Sequence, residues 1–391
     1  MVLAICALVA GTAIPTMAAT ASGVKTPVTI MTIATVGTTS TNYPEIFAGV
    51  KGAAADLNKN GGINGHPVVV ITCNDNLDPT AATNCANEAV ANRVTAVVGT
   101  QSNYISNILP ILAAANIPSI GSANATAAEV TSPNSFTFTG GTNLLGNSGM
   151  TELINTGHNK IALVYIDLPV VGPILTGLKA SIPTLGNKTG TVVATIPVSP
   201  TQTDMSTITA AIKSSGANAI NLILGGQQAD LVIESNYQGG IPATQVPAQA
   251  FSMNKSDLAT LGAAANGIFY ISSVMPLTQT KNKYVKQVLA DFKTVHFNGS
   301  ITDYGTQAWA ATMAAAFVMK KFKVYSPGKL LNDLPKAGTI NLGIIGPFNW
   351  GKPLASQLPS RIFNPNYMFS IVKNGVVTPQ IKTFQNILGI H

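Results

Sequence analysis

The most restrictive feature of this 391-residue sequence is a repeated order of segments. A short apolar run is followed by a polar loop, then by a stretch with apolar residues at helical spacing. Val28 to Val36 reads as a strand buried on both faces. Gly37 to Tyr43 is a polar loop, and Pro44 opens a helix on which Ile46, Phe47, Val50, Ala54 and Leu57 share one face. Asn60-Gly61-Gly62 ends it with residues that tolerate positive φ. A strand over Pro67 to Cys73, a helix over Asp78 to Asn92 and a strand over Val94 to Val98 come next. A helix ending near Asn116 and a strand opened by Ile117-Pro118 complete the first series.

The order then returns. Strands are expected over Lys160 to Ile166, Val192 to Ile196, Ala219 to Leu224 and Val246 to Phe251. Helices are expected over Gly172 to Ser181, Met205 to Ser214 and Ala229 to Tyr237. The stretch from Asn218 to Phe251 echoes Thr95 to Gly121, with Ile241-Pro242 in the place of Ile117-Pro118. Such alternation requires parallel sheets covered by helices on both faces. Its long period points to two similar α/β lobes, not to a solenoid. The last third is richer in helix, over Asn282 to His296 and Gly305 to Lys321. Residues 340–391 are rich in Gly, Pro and Asn with short strands such as Tyr367 to Val372. No Gly/Ser linker separates the lobes, so the crossings are short. They are placed near Gly140–Thr142, Ser272–Met275 and Gly343–Pro347. That gives one lobe from 26–141 plus 275–345 and another from 142–274 plus 346–391.

Charge excludes one class of partner. Only 9% of residues are Asp, Glu, Lys or Arg, against about 25% in an ordinary soluble domain. Surface polarity therefore comes from Thr, Ser, Asn and Gln. The net charge of +7 is spread thinly. Lys320, Lys321 and Lys323 cluster at the end of an apolar helix, where cations answer the negative pole of the helix. Nucleic-acid binding concentrates cations on one face and is not expected.

Residues 2–21 are uncharged, with an apolar run from Val2 to Ala10 and small residues from Met17 to Ala21. This is the core and cleavage region of a secretory signal peptide spanning residues 1–21. Its positive leader is missing, so the true start is expected upstream. Pro15 and the threonines disfavour a permanent span. Leu3-Ala4-Ile5-Cys6 is a partial lipoprotein box with a bulky Ile5, which leaves free secretion and a lipid anchor at Cys6 both open. Export makes Cys73 and Cys85 a disulfide pair, worth about 3 kcal/mol for its short loop; two buried free thiols are the alternative. The four histidines share no ligand spacing with these cysteines, so no metal site is expected.

The chain has no G-x-S-x-G elbow, no GxxxxGK[ST] phosphate loop and no HExxH. The Gly61 to Gly65 run follows a helix, whereas a dinucleotide loop follows a strand. No enzyme activity and no cofactor are expected. What remains is a ligand site in the loops beyond the carboxyl ends of the strands. Thr38 to Tyr43, Thr100 to Ser106, Gly121 to Thr126 and Gly225 to Gln228 are rich in hydrogen-bonding groups. Most of them precede a helix, whose free N–H groups favour an anion such as a carboxylate. Pro110 lies deep for a first turn, so the third helix either kinks or starts late with Ser106 as its cap.

Certain blocks resemble a known family. Phe47-Ala48-Gly49-Val50-Lys51-Gly52-Ala53, Leu57 to Gly65, Asp78-Pro79 and Val97-Val98-Gly99 are similar to leucine/isoleucine/valine-binding proteins. Gly346-Pro347-Phe348-Asn349-Trp350 is similar to that family's last lobe crossing. These are type I periplasmic solute-binding proteins of ABC importers. The resemblance spans the chain after residue 26. It implies two Rossmann-like lobes, three hinge crossings and a cleft that closes on a small ligand. It implies a monomer that meets an ABC permease at the outer face of the membrane, in the periplasm or secreted. By position it assigns ligand contacts to Tyr43, Ser102, Asn103, Ser122, Ala123 and Asn124 in the first lobe. In the second lobe it assigns Asp167, Gln227 and Ser252. Amino-acid binders of the family hold the ligand ammonium with a carboxylate after the strand ending at Phe251. Here Phe251-Ser252-Met253-Asn254 offers none. Either the ligand lacks an amine or Asp167 takes that role. A ligand sensor of the same fold that signals to a partner is the alternative to an importer component. Finally, only 15 carboxylates leave few acid groups to lose native pairing as pH falls, which suits acidic surroundings.

Overall fold

The computed structural model describes residues 25–38, 41–122, 126–168, 171–224, 226–249, 255–354 and 361–386. The signal segment, Ala123, Asn124 and Ser252 lie outside them. The first sheet is parallel, in the order β2-β1-β3-β4-β5. Its strands are β1 (Val28–Ala34), β2 (Val68–Asn74), β3 (Ala96–Val98), β4 (Ser119–Ile120) and β5 (Ser135–Phe136). β1 sits between β2 and β3 and is buried along nearly all its length. A central parallel strand covered on both faces needs such a continuous apolar run. One face packs under α1 (Pro44–Lys59), α10 (Lys283–Thr294) and α11 (Asp303–Phe322). The other packs under α2 (Pro79–Ala91) and α3 (Ile105–Ala114), and α4 (Ala127–Thr131) follows β4.

Local chemistry sets these boundaries. Pro44 and Pro79 sit in first turns, where the missing N–H costs nothing. The Asp78 carboxylate accepts from the Ala81 amide at 2.7 Å and caps α2. Cys73 and Cys85 are joined, with their Cα atoms 5.7 Å apart, so the disulfide ties the end of β2 to the helix that follows. Replacing both cysteines by alanine is expected to cost about 3 kcal/mol. Urea unfolding of the double variant measures this, and an unchanged midpoint would contradict it.

The second region carries β6 (Lys160–Ile166), β7 (Thr191–Val198) and β8 (Ala219–Ile223) in the parallel order β7-β6-β8. β8 lies beside β9 (Pro247–Gln249), and β9 pairs in parallel with β10 (Phe269–Ser272). Helices α6 (Gly172–Ser181), α7 (Ser206–Ser214), α8 (Gly226–Gln238) and α9 (Lys255–Leu261) alternate with these strands. The expectation of parallel sheets ends here. β11 (Asn366–Lys373) runs antiparallel to β10, and β12 (Val376–Pro379) and β13 (Gln385–Asn386) pair antiparallel to β11. The tight Asn374-Gly375 turn, both residues at positive φ, makes a hairpin, which parallel strands cannot share.

Four helices escaped the sequence reading, the short α4 and α9 among them. α5 (Gly141–Asn155) carries several Gly and Asn residues that hide its pattern, but Met150, Leu153 and Ile154 are buried against β6. α12 (Pro327–Asp333) is a short element after α11. The third helix starts at Ile105 with Tyr104 as its N-cap, so Ser106 is not the cap, and Pro110 is accommodated inside α3.

Segments between the two regions hold one another. Gly140 donates its amide to the Tyr367 hydroxyl at 2.9 Å. Asn364 Nδ2 donates to the carbonyls of Phe138, at 2.9 Å, and Gly346, at 3.1 Å. The Met275 amide donates to Ile344 O at 2.8 Å, and Val274 bridges Ile345. Among the described residues, no helix is long and apolar enough to cross a membrane.

The long helix α11 is the axis of the first core. Its small residues allow close approach: a Cβ on Gly49 would lie 2.3 Å from the Gly305 carbonyl oxygen. Trp309 Nε1 donates to Asp291 at 2.7 Å, which fixes α11 against α10. The close seating of α1 on α11 brings the first turns of both helices together at the strand ends.

Candidate functional site

Three strand-end loops of the first sheet converge on one buried carboxylate. Thr35, just after β1, donates its hydroxyl to Asp75 at 2.6 Å. Asp75 itself follows β2 and is fully buried. Ser102, after β3, donates its hydroxyl to the other Asp75 oxygen and accepts the Tyr104 amide. Ser102 is thus committed to holding its loop in place. Asn103 beside it is exposed.

Two neighbouring hydroxyls are not committed. Thr100 follows β3 and Ser122 follows β4; both are buried, and neither Oγ atom has a hydrogen-bond partner among the described residues. A buried hydroxyl without a partner costs about 1–3 kcal/mol, so such groups gain from a ligand that supplies one. Ser122 was among the sequence candidates. Thr100 lay in a loop recognised as polar but was not singled out, because spacing does not show which hydroxyls the protein itself satisfies.

Aromatic side chains close the other side. Tyr43 is the N-cap of α1, and its amide donates to Thr35 O at 2.9 Å. Its ring meets Tyr304 edge-on, with centroids 5.1 Å apart. Tyr304 stands in the first turn of α11 and comes from 261 positions further along the chain, which local pattern could not reveal. Glu45, one turn from Tyr43, is buried and accepts the Thr302 hydroxyl at 2.6 Å. Burial pushes the Glu45 carboxyl up, against the hydrogen bond from Thr302. Burial and the neighbouring Glu45 raise the Tyr43 phenol. After β4, Thr126 and Glu129 form a reciprocal capping box at the start of α4.

In the second region Asp167 follows β6 and is exposed, its amide bonded to Val198 O at 2.8 Å. Gln227 is exposed in the first turn of α8. A carboxylate pair not foreseen from the sequence stands between α8 and α9. Asp230 lies one turn into α8, and its Oδ1 is buried with no partner among the described residues. Burial, and then the charge of Asp257 on α9, push Asp230 up to about 6. Asp257 is three positions after Asn254 in the sequence and lies in the first turn of α9. Among the described residues no group of His, Cys, Asp and Glu could hold a metal ion.

The sequence family described as periplasmic binding protein matches residues 28–358. No curated protein sequence matches the chain. Solved structures with the same fold are numerous. A branched-chain amino acid transporter substrate-binding protein, LivJ from Streptococcus pneumoniae in complex with isoleucine, superposes with a TM-score of 0.72 at 18% identity, covering 92% of this chain and 99% of that one. An ABC transporter solute-binding protein from R. palustris in complex with benzoate gives 0.69 at 16% identity, covering 92% and 96%. A fatty acid ABC transporter substrate-binding protein from Thermomonospora curvata gives 0.73 at 17% identity, covering 94% and 97%.

Proposed function

The chain belongs to the periplasmic binding protein family, and from that premise we propose that it is the extracytoplasmic solute-binding component of an ABC importer. It captures a small amino acid, or a related carboxylate or amide, by closure of a two-lobed cleft. The observation that carries this reading is the cluster at the strand ends of the first sheet. There, among the described residues, the Thr100 and Ser122 hydroxyls have no hydrogen-bond partner, at the same strand ends as the Tyr43–Tyr304 pair. Hydroxyls and free amides serve a carboxylate or amide, and the aromatic pair covers an apolar side chain. The hydroxyls that meet a carboxylate here, Thr35 and Ser102 on Asp75, hold the loops together, and the reading is of capture without turnover.

The lobes are residues 26–141 with 275–345 and residues 142–274 with 346–391. The interbonded segments at Gly140, Met275 and Gly346 serve as the hinge crossings. Ligand then selects the closed state by touching both lobes. The structures that bind isoleucine, benzoate and fatty acid share a fold across different ligand chemistries, so specificity rests on this chain's own residues. Asp230 and Asp257 are the groups that would hold a ligand ammonium, in place of the acid missing from Phe251–Asn254 and of the exposed Asp167.

A thermal-shift screen of the purified chain against branched-chain amino acids, aromatic acids, short amides and polyols tests the reading. A ligand at 100 times its dissociation constant is expected to add about 2.7 kcal/mol. Tyr43→Ala and Ser122→Ala should each weaken that ligand about tenfold or more. With an amino-acid ligand, Asp230→Asn should weaken it as well; with an amine-free acid it should not. No stabilisation across the panel, or binding unchanged in the Tyr43 and Ser122 variants, would remove the assignment of this cleft.

A further inference from the structure

A cavity of about 640 Å³ lies on the other side of the first turn of α11 from the Tyr43–Tyr304 pair. Thr302, Asp303 and Thr306 line it, while Tyr304 in the same turn packs on Tyr43. None of Tyr43, Ser102, Ser122, Asp167 and Gln227 contributes to its wall. Its volume is that of a small-molecule site. Most of the wall is apolar: Leu258, Leu277, Leu289, Ile301, Val376 and Val377 take part. Asp303 and Ser272 are among its polar groups, and none of the described lining residues is Lys, Arg or His.

Asp303 is partly buried and lines this cavity. Its partners are uncharged donors, the Ser272 hydroxyl at 2.6 Å and the Ser273 amide. Ser272 Oγ already accepts the Val274 amide at 3.0 Å and lies 2.7 Å from Val274 O. It has one proton to give, so serving an ionised Asp303 takes that proton from Val274 O. Burial therefore outweighs these bonds and pushes Asp303 up to about 7. The titratable groups that face Asp303 are Tyr270 of β10 and Tyr304 of α11, with Asp257 of α9 beyond Tyr270. None of them is a cation. A buried carboxylate in apolar walls is best completed by a positive charge that arrives with a ligand.

We propose that this cavity is a second small-molecule site, selective for an organic amine whose ammonium meets Asp303 and whose apolar body lies along Leu258, Leu277 and Val376. The site is separate from the strand-end cleft, and its existence does not depend on the importer reading. Hexylamine and 2-phenylethylamine are suitable probes of the full chain, with hexanol and hexanoate as controls of equal length. Isothermal titration at pH 8 is expected to show the amines binding at least tenfold more tightly than hexanol, and hexanoate not at all. Amine affinity should fall as pH drops from 8 to 5.5, because Asp303 takes up a proton while the amine stays charged.

Asp303→Asn should weaken hexylamine at least tenfold. Val376→Trp, at an exposed turn on the cavity rim, should block it while leaving Asp303 in place. Tyr43→Ala should leave it within about twofold. The proposal is overturned if the amines do not bind, or if hexanol binds as well as hexylamine. It is overturned equally if Asp303→Asn and Val376→Trp bind the amine unchanged, or if Tyr43→Ala abolishes binding, which would make the cavity part of the cleft. A cleft ligand that binds without competing with hexylamine supports two sites, whatever the cleft transports.

Discussion

Thermal unfolding is expected to move upward by about 6 °C when the pH is lowered from 8 to 4.5, the reverse of the usual acid response. The cause is a set of carboxyl groups that burial holds above their unfolded values. Asp303 is raised to about 7, and Asp291 and Asp230 to about 6. Glu45 and Glu152 are raised by burial as well. Between the unfolded value near 4 and these folded values, the native state binds more protons than the unfolded chain. Stability therefore rises as pH falls through that window and is lost as pH rises through the folded values.

At about 1.4 kcal/mol per pH unit of difference, Asp303 alone is worth about 4 kcal/mol. Asp230, which is partly buried, and Asp291, whose charged form Trp309 and Gln287 support by hydrogen bonds, are counted at about 1 kcal/mol each. Opposing losses are few. Lys336–Asp333 is a surface i,i+3 ion pair of small value. Asp204, held below its ordinary value by Ser206, acts in the other direction but is fully exposed. Unfolding midpoints at pH 8, 6 and 4.5, at constant ionic strength, decide the matter. Asp303→Asn should flatten much of the slope. A midpoint that falls steadily below pH 7 would refute the account, and with it the expectation of acid tolerance drawn from the low carboxylate count.

The second large effect is expected at Gly99. This residue follows β3 and leads into the Thr100–Tyr104 segment of the proposed cleft. Its φ of +63° is left-handed, and a Cβ there would lie 2.6 Å from Ala308 Cα in α11. Gly99→Ala therefore combines a backbone penalty of about 1–2 kcal/mol with overpacking of about 1–3 kcal/mol. Neither can relax cheaply, because the obstacle is backbone. The expected loss is about 4 kcal/mol, and pushing β3 away from α11 also shifts the Thr100–Tyr104 segment. The affinity for a cleft ligand should then drop more than stability alone accounts for. Gly177→Ala is the control. It lies in the exposed interior of α6 with nothing within 4 Å of its added Cβ, so helix propensity should make it more stable by about 0.5–1 kcal/mol. Denaturant titration of both variants should separate them by several kcal/mol. Similar midpoints would show that the α11 groove yields.

Much of the architecture followed from local pattern. β6 and α6 have the boundaries that periodicity placed on them, and Asp78 and Asn92 cap α2 as their residue types require. The Cys73–Cys85 pairing followed from a strand end and an inward helix face only 12 residues apart. These depend on φ preferences, capping and the 2.0 and 3.6 periods, all of which act over a few residues. α5 was missed because Gly and Asn weaken a local pattern that burial against β6 rescues.

The candidate sites divide the same way. That polar loops follow the strands, and that Tyr43 opens α1, could be read along the chain. Which hydroxyls remain free could not: Ser102 is taken by Asp75 and Ser122 is not, and that depends on where three loops meet. Tyr304 beside Tyr43, Asp257 beside Asp230, and Asp303 in an apolar cavity are all contacts between segments distant in sequence. The sequence by itself determined the alternation of strand and helix through most of both series, because those signals are short-range. Only the tertiary structure decided which polar groups the fold satisfies and which it leaves for a ligand, because desolvation and pairing depend on every element packed around a group.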